Sequence, residues 1–180
     1  MKYFILILFV SISTISFAQK EKINWMSFDE ALAAQKENPK KILMDAYTIW
    51  CGPCKMLDKN TFHNKDVVDY VNKNYYAVKF NAEGNETINY KGVTYTNPNF
   101  KPKTSGRNSS HQLSQAFGIR AYPTLIYLDE DANVITPIPG YQKPSQLELY
   151  LKFFNSTDVE SINKESWDSY SSNFKPEFKD

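Results

Sequence analysis

The sequence predicts an α/β domain, in which short apolar strands alternate with helices. Lys41–Tyr47 and Thr124–Leu128 are short, mainly apolar runs between polar or turn-forming flanks, as expected of buried strands. Ser145–Phe154 instead carries its apolar residues at helical spacing, so we expect an amphipathic helix that closes the domain. This alternation of the two element types defines the predicted fold class.

The first predicted helix has end signals on both sides. Ser27 and Glu30 have the spacing of a capping box, and Asn38-Pro39 ends the segment. We therefore expect a helix over about Phe28–Glu37. The other elements expected in this half are a helix from Cys51 to about Lys59, a short helix near Asp66–Asn72 and a strand over Tyr75–Asn81.

A long polar segment, 84–110, interrupts the alternation. It is rich in Asn, Lys, Gly, Thr and Pro, and connections of this length are uncommon in compact domains and often functional. Within it, Ile88–Tyr90 and Val93–Tyr95 flank Lys91-Gly92, which predicts a small hairpin. We interpret 84–110 as an insert in the domain.

The second half of the chain continues the pattern and ends in a polar tail. The elements expected before the closing helix are a helix over Gln112–Phe117 that stops at Gly118, the strand Thr124–Leu128 and an edge strand over Val134–Ile138. In the tail, Trp167, Tyr170 and Phe174 recur at helical spacing, which favours a docked helix over disorder. The resulting division is a domain over 19–155 and a C-terminal extension over 156–180.

The first residues, 1–18, have the pattern of a secretory signal peptide. A positive start at Lys2, an apolar stretch and a small-residue exit favour export, with cleavage after Ala18. The alternative is a retained membrane anchor, which is weaker because the apolar stretch falls short of the roughly 20 residues that span a bilayer. We therefore expect a periplasmic or secreted protein.

The charge of the mature chain excludes one class of partner. The sequence has 21 Lys and Arg residues and 20 Asp and Glu residues, and removal of Lys2 makes the mature chain formally neutral. Nucleic-acid-binding domains carry a basic surface, so we expect no nucleic acid partner. About 160 residues remain, which is enough for one domain with a hydrophobic core.

Both cysteines lie in one short segment, and three explanations are open. A zinc site would need four ligands, yet the other soft candidates, His63 and His111, are far apart in sequence. A purely structural disulfide between Cys51 and Cys54 would close too small a loop to stabilise the fold much. A redox pair is the interpretation that we favour, because it needs no further ligand.

The redox interpretation has a physical basis in the position of the pair after a strand and at the start of a helix. At the helix N-terminus, Cys51 would face unpaired amides and the positive end of the helix dipole, which lowers a thiol pKa. Pro53 suits the first helical turn, because its missing N–H costs nothing there. Cys54 would lie one turn further in. We thus expect an exposed attacking thiol beside a more buried resolving thiol.

Several short motifs resemble those of the thioredoxin family. Trp50–Lys55, of sequence WCGPCK, resembles the thioredoxin active-site motif. Asp45 matches the buried acid of that family, Lys79–Asn81 matches the strand with its lysine partner, and Phe117–Leu125 matches the segment with its cis-proline. The resemblance covers about Ile42–Phe154, interrupted by the insert. It implies a thioredoxin fold, with a central mixed sheet flanked by helices.

The resemblance assigns the exchange chemistry to four residues. Cys51 would be the nucleophile and Cys54 the resolving thiol. Asp45 would take the proton of Cys54 through a water, since burial raises a carboxyl pKa, and Lys79 would tune Asp45 by its charge. The alternatives are that Asp45 caps a turn at the strand end and that Lys79 is a solvated strand residue.

The expected substrate-binding residues are Trp50, Gly52, Pro53, Tyr122 and Pro123. As in the family, a cis Pro123 would expose the backbone of Tyr122 for pairing with an extended substrate, while Trp50 and Tyr122 would form an apolar rim. The alternatives are a trans loop proline and a Trp50 that only fills the core.

The function implied by the resemblance is reduction of disulfides in exported proteins, with no cofactor or metal beyond the redox-active Cys51–Cys54 disulfide. Lys55–Phe62 is more similar to exported relatives, including the C-terminal domain of the DsbD transmembrane reductant carrier, and lacks the proline that kinks this helix in ordinary thioredoxins. We therefore expect a membrane electron donor of the DsbD type, and we expect a monomer. The alternatives are a disulfide isomerase or oxidase, and a binding module with a vestigial redox pair.

Overall fold

A mixed sheet forms the centre of the protein in the computed structural model, which describes residues 22–180. The strands are β1 (Trp25–Met26), β2 (Ile42–Tyr47), β3 (Tyr76–Asn81), β4 (Ile88–Tyr90), β5 (Val93–Tyr95), β6 (Thr124–Leu128) and β7 (Val134–Pro139). Five of them form the main sheet in the order β1-β3-β2-β6-β7, and β4 and β5 form a separate hairpin.

The central position of β2 follows from its sequence. β1 and β2 both run parallel to β3, whereas β6 is antiparallel to β2 and to β7. The residues of β2 are buried from Ile42 to Ala46. A strand that is covered on both faces reads as a continuous apolar run, and this explains why β2 could be recognised. The mixed sheet confirms the predicted fold class.

Helices cover the sheet. They are α1 (Phe28–Glu37), α2 (Gly52–Met56), α3 (Lys65–Asn74), α4 (Gln112–Ala116), α5 (Pro144–Ser156) and α6 (Lys164–Asn173). The bounds of α1 are those predicted, and its capping box is present. The Glu30 N–H donates to the Ser27 hydroxyl at 3.3 Å, and the Ser27 N–H donates to the Glu30 carboxylate at 2.7 Å.

The helix that follows Cys51 does not stay regular along its predicted length. At Leu57–Thr61 it changes into a wider π-type turn, in which the Phe62 N–H donates to the Leu57 carbonyl at 3.0 Å. Turns of this kind are frequent at functional sites. Here the wide turn carries Asp58, whose carboxylate reaches the central strands.

The apolar side chains form one buried cluster on each face of the sheet. Ile42 and Met44 of β2 belong to one cluster, and Leu43 belongs to the other, because successive side chains of a strand point to opposite faces. The first cluster also contains Ile88 and Tyr90 from the β4–β5 hairpin. The predicted hairpin is therefore confirmed, and its buried residues attach the first part of the insert to the core.

The rest of the insert forms a loop that is closed at its base by Asn97. The buried side-chain amide of Asn97 donates to the carbonyl oxygens of Gly84, at 2.9 Å, and Ser109, at 2.7 Å. Asn108 makes a second closure, through hydrogen bonds in both directions with the backbone of Lys101. Polar contacts thus give this loop a defined shape where it has few aliphatic residues to bury.

The C-terminal extension docks on α5 through α6, as the aromatic spacing predicted. Trp167 stacks on Tyr150 at 5.0 Å between ring centroids and meets Phe153 edge-on at 5.1 Å. Tyr170 also contacts Phe153, at 5.2 Å. Aromatic pairs of this kind contribute about 0.5–1.5 kcal/mol each beyond the burial of their area.

A buried carboxylate on α5 holds the segment after α6. Both the Glu177 and the Phe178 N–H groups donate to Glu148 Oε2 at 2.8 Å. The Lys152 ammonium lies 2.7 Å from Glu148 Oε1 and also pairs with Glu177. Glu148 is fully buried, so these partners compensate for the loss of its hydration.

The expected signal peptide, 1–18, lies outside the described residues. Across 22–180, no helix combines the length and the apolar character that a membrane span requires.

Replacement of Glu148 by Gln should loosen the C-terminal segment. The amide keeps one acceptor for the two backbone N–H groups but turns a donor toward Lys152, so we expect a loss of about 2 kcal/mol in unfolding free energy. Urea unfolding measures this loss, and limited proteolysis after residue 174 measures the release of the segment.

Glu165→Gln is the matched control, because Glu165 is an exposed acid on α6. This variant should change neither the unfolding free energy nor the rate of proteolysis after residue 174. An E148Q protein with unchanged protection of residues 175–180 would contradict the proposed role of Glu148 in holding this segment.

Candidate active site

The two cysteines lie where β2 is followed by α2, and a disulfide bond joins them. The Cys51 N–H donates to the Thr48 carbonyl at 3.2 Å, and Cys51 Sγ accepts the Cys54 N–H at 3.1 Å. Gly52 and Pro53 form the exposed first turn between them. The Cys51 sulfur therefore meets a helix N-terminus, where a backbone N–H favours negative charge.

We predicted that Cys51 would be more exposed than Cys54, and this prediction is wrong for the disulfide form of the pair. Cys51 is 2 % exposed and Cys54 is 5 % exposed, so the expected attacker is at least as buried as its partner. Cys54, in addition, borders a cavity of about 360 Å³. The sequence predicts the helical position of each cysteine, but its exposure depends on the segments that pack around the turn.

An ion pair joins the two central strands, and its lysine lines the cavity that Cys54 borders. Asp45 of β2 and Lys79 of β3 are register partners, and Lys79 Nζ lies 2.7 Å from Asp45 Oδ2. A second acid, Asp58 of the π-type turn, lies 3.0 Å from the same ammonium group. Asp45 is 1 % exposed, Lys79 26 % and Asp58 47 %. One cation is thus shared by a buried and a half-exposed carboxylate.

Burial decides the protonation of this pair. Desolvation raises the pKa of Asp45 above its ordinary value, and the charge and hydrogen bond of Lys79 oppose this only in part. Desolvation favours a lower pKa for Lys79, but the charges and hydrogen bonds of Asp45 and Asp58 have a larger opposite effect. The pKa of Lys79 is therefore raised above its ordinary value. The result is a cationic lysine beside a carboxyl that holds a proton more readily than usual.

Aromatic rings surround the Lys79 ammonium group. It lies 4.6 Å from the ring centroid of Trp25 on β1, 5.0 Å from Phe62 and 5.4 Å from Tyr47. Cation–π contacts of this kind favour a charged ammonium group. Lys79 is therefore held in a fixed position and is not the solvated strand residue of the alternative interpretation.

The cavity that Cys54 borders also contacts the ion-pair cluster, through Lys79 and Asp58. Its walls include Thr48, Lys55, Asp58 and Lys79. Asp45 Oδ1 and the Thr48 hydroxyl are buried and have no hydrogen-bond partner among residues 22–180. Unpaired buried polar atoms are uncommon and call for a functional explanation.

The segment before β6 contains the predicted cis peptide bond, between Tyr122 and Pro123. The Pro123 carbonyl accepts the Gly140 N–H at 2.8 Å, which ties this segment to the end of β7. Neither the N–H nor the C=O of Tyr122 forms a hydrogen bond with the described residues. The backbone of Tyr122 is therefore available for pairing with another chain.

Trp50 is held in a rim of side chains that includes the insert. Its ring meets Tyr122 edge-on at 5.9 Å, and the Arg107 guanidinium lies 4.7 Å from its ring centroid. The indole N–H donates to Glu83 Oε2 at 2.8 Å, and the same oxygen accepts the Asn108 N–H at 2.6 Å. Trp50 is half-buried, so it belongs to the rim and does not simply fill the core.

The family model described as a thioredoxin-like domain matches residues 28–155, which include both cysteines and the whole ion-pair cluster. The chain belongs to the thioredoxin-like family. The solution structure of a thioredoxin from Thermus thermophilus resembles it with a TM-score of 0.58, covering 79% of this chain and 98% of that one. At 10% identity, this likeness concerns the fold alone.

Two further relatives of this thioredoxin-like chain are closer in sequence. The thiol:disulfide interchange protein DsbD of Pseudoalteromonas atlantica is 24% identical over 131 residues, which are 72% of this chain and only 18% of that protein. The solution structure of a protein proposed to be a disulphide isomerase, from Bacteroides thetaiotaomicron, is 28% identical, with a TM-score of 0.53. The alignment includes all of that protein and 78% of this chain.

Three residues of this thioredoxin-like site were missed by the sequence analysis. Asp58 lies four residues after Cys54, a helical spacing that could have suggested a shared face. Glu83 directly precedes the insert, and Arg107 lies within it. No local pattern in the sequence connects either residue to Trp50. They reach it only because the insert folds back on the domain.

The two histidines have structural positions. His63 is exposed, and its Nδ1 lies 2.7 Å from the Asp58 carbonyl. His111 is buried and caps α4, with Nδ1 accepting the Leu113 N–H at 3.1 Å. Among residues 22–180, no group of three or more His, Cys, Asp and Glu side chains is arranged to hold a metal ion.

Replacement of Asp45 by Asn should stabilise the protein at neutral pH. Because the folded-state pKa of Asp45 is raised, the folded protein loses stability as pH rises from the unfolded pKa through the folded one, and Asn removes this loss. We expect a gain of about 1–3 kcal/mol at pH 7 that shrinks toward about pH 4, by urea unfolding of the oxidised protein.

Asp58→Asn is the matched control, because it removes the other, half-exposed partner of Lys79. Its effect should be smaller and should lack the gain at neutral pH. If the wild type is more stable than D45N over the whole pH range, the ion pair outweighs desolvation and the assignment of the raised pKa is wrong.

Proposed function

We propose that this protein is an exported thiol–disulfide oxidoreductase that reduces disulfide bonds of exported proteins. The observation that carries the proposal is the Cys51–Cys54 disulfide at the start of α2, beside a cavity lined by Cys54 and by Lys79, the partner of the buried Asp45. The similarity to a thiol:disulfide interchange protein supports the same class of chemistry.

The first step is attack by the reduced form. The Cys51 thiolate bonds to one sulfur of the substrate disulfide, the substrate S–S bond breaks, and the second substrate sulfur leaves as a thiolate that takes a proton from water. The Cys54 N–H, 3.1 Å from Cys51 Sγ in the oxidised form, stabilises the attacking thiolate. The product of this step is a mixed disulfide between the substrate and Cys51.

The second step resolves the mixed disulfide. Cys54 gives up its proton, and its sulfur then attacks Cys51 Sγ, so that the substrate leaves with both of its sulfurs reduced. Two electrons pass from the cysteine pair to the substrate, and the pair ends as the disulfide of this structure. An external dithiol must then reduce it again, and we assign this task to a membrane donor of the DsbD type.

Asp45 is the base proposed for the Cys54 proton. Its pKa is raised by burial, which brings it closer to that of a working general base. Lys79 holds Oδ2, while Oδ1 has no partner among the described residues. A water in the cavity beside Cys54 would pass the proton between the thiol and this carboxyl group. Lys79 is a positioning residue, since it acts through Asp45.

The charge around Cys54 favours a reductase over an oxidase. Lys79, the cation nearest the buried acid, is shared by two carboxylates, and the other lysine of the cavity, Lys55, is exposed to solvent. Little net positive charge is left to stabilise a thiolate. A pair whose reduced form is weakly stabilised is a reductant, because strong stabilisation of the thiolate is what makes such pairs oxidising.

The substrate is expected to bind as an extended segment. The free N–H and C=O of Tyr122 can pair with its backbone, as in strand addition. The rim formed by Trp50 and Tyr122 contacts its side chains, next to Gly52 and Pro53 on the exposed turn. The signal-like residues 1–18 support the proposal of export, and the proposed substrates are therefore periplasmic or secreted proteins.

A second candidate is a disulfide isomerase. It is favoured by the similarity to the Bacteroides thetaiotaomicron protein, whose full length aligns with this chain. An isomerase uses the same first step but releases the substrate with its disulfide rearranged, so no net electrons pass. The reduction potential separates the two candidates.

The reduction potential of the Cys51–Cys54 pair should lie at the reducing end of the range for this fold. We expect a value of about −270 to −230 mV, measured by equilibration in graded thiol buffers. A value of about −180 mV or higher would instead support an isomerase or oxidase. Asp58→Asn should raise the potential, because it removes a negative charge beside Cys54.

Replacement of Cys54 by Ser should trap substrates on Cys51. Without the resolving thiol, mixed disulfides with exported proteins should accumulate and disappear on addition of a reductant. The Cys51→Ser and double Cys→Ser variants are the matched controls and should trap nothing. Partners that stay bound to the double variant would support the binding-module alternative.

A further inference from the structure

The loop of the insert forms an open groove of about 580 Å³, within the size range of ligand sites. Three of its lining residues, Lys101, Lys103 and Arg107, are cations, and none is an acid. In a chain that is close to neutral overall, this groove is a local concentration of positive charge.

The three cations of this basic groove are not neutralised. Lys101, Lys103 and Arg107 are exposed, and none of them forms an ion pair with a carboxylate of residues 22–180. The Lys103 ammonium donates to the Arg107 carbonyl, which leaves its charge unpaired. Most of the basic groove is therefore free to receive anionic groups from outside.

The basic groove is joined to the redox site through Arg107. This residue lines the groove and also stacks on Trp50, which directly precedes Cys51. Glu83 fixes the junction, since its Oε2 accepts hydrogen bonds from the Trp50 indole and from the Asn108 backbone. A protein segment that reaches the disulfide past Trp50 would thus continue into the groove.

Glu83 does not line the basic groove. It is buried, and its Oε2 accepts hydrogen bonds from two neutral donors at the base of the loop. Its hydrogen bonds to Trp50 and to the Asn108 backbone hold the loop against the domain, while the three cations are exposed. The groove therefore presents fixed charge at the partner-facing rim.

We infer that the basic groove of the insert binds an acidic stretch of the substrate protein that lies next to its disulfide. This inference rests on the proposed exchange function and adds to it a substrate class. Charge complementarity at a rim mainly raises the rate of encounter and selects among partners. The three cations would therefore favour substrates whose cystine is flanked by Asp or Glu.

The test compares two synthetic peptides that contain the same disulfide and differ only in a flanking run of Glu or Gln. Their kcat/KM for reduction is measured with dithiothreitol as the electron source, after subtraction of the uncatalysed rate. Three contacts of about 0.5 kcal/mol each predict a preference of about tenfold for the Glu peptide. The preference should shrink at high ionic strength, because salt screens exposed charges.

The variant for this test is Lys101→Gln, Lys103→Gln, Arg107→Gln, in which the ratio of the two rates should fall to about one. Both rates come from the same variant, so any change in general activity cancels from the ratio. The control variant is Lys36→Gln, Lys91→Gln, which removes two exposed lysines at the groove between α1 and the β4–β5 hairpin. It should keep the wild-type preference.

The outcomes separate this inference from the proposed function. Reduction of neither peptide, nor of the small neutral hydroxyethyl disulfide, would refute the proposed function itself. Reduction of both peptides at equal rates by the wild type would overturn the inference and leave the function standing. Equal peptide rates together with loss of binding to anionic phospholipid vesicles in the triple variant would assign the basic groove to a lipid surface instead.

Discussion

The buried carboxylate of Asp45 sets the arrangement of the active site, because it must be compensated where it lies. Asp45 sits on the central strand, and its register partner Lys79 supplies the compensating charge at 2.7 Å. Lys79 in turn requires the rings of Trp25 and Phe62 and the carboxylate of Asp58 to hold it. The first strand, the two central strands and the π-type turn thus meet at one ion pair. Asp45 is thus a carboxyl with a raised pKa, and its lysine partner lines the cavity that Cys54 borders.

The insert belongs to the redox site and is not an independent appendage. Its hairpin buries Ile88 and Tyr90 in the core, and its loop is closed by the amide of Asn97. Glu83 links the loop to Trp50, so the position of the rim depends on the position of the insert. The role that we infer for the insert is in partner choice, because a charged surface beside the cysteines acts on the rate of encounter and on selection among partners.

The C-terminal extension stabilises the face of the domain that covers the second cluster. Its aromatic side chains pack on Tyr150 and Phe153 of α5, and the buried Glu148 binds the backbone that follows. Two buried acids, Asp45 and Glu148, can be compared in this protein. Both acids keep one buried oxygen without a hydrogen bond among residues 22–180, but Glu148 also binds two backbone N–H groups of the C-terminal segment through Oε2. That contact gives Glu148 a structural role, whereas the partner of Asp45 is a lysine that lines the cavity beside Cys54.

Local patterns in the sequence were sufficient for most of the helices and strands and for the redox pair, but not for β1 or for the π-type turn. The capping box at Ser27, the apolar run of β2 and the WCGPCK motif each depend on residues that are neighbours along the chain, so they predicted α1, the central strand and the cysteine turn. The resemblance to thioredoxins added Asp45, Lys79 and the cis peptide before Pro123. The contacts of Glu83 and Arg107 with Trp50, and the burial of Cys51, could not be predicted in this way. They arise between segments that are distant in sequence, where only the folded chain decides which side chains share a surface.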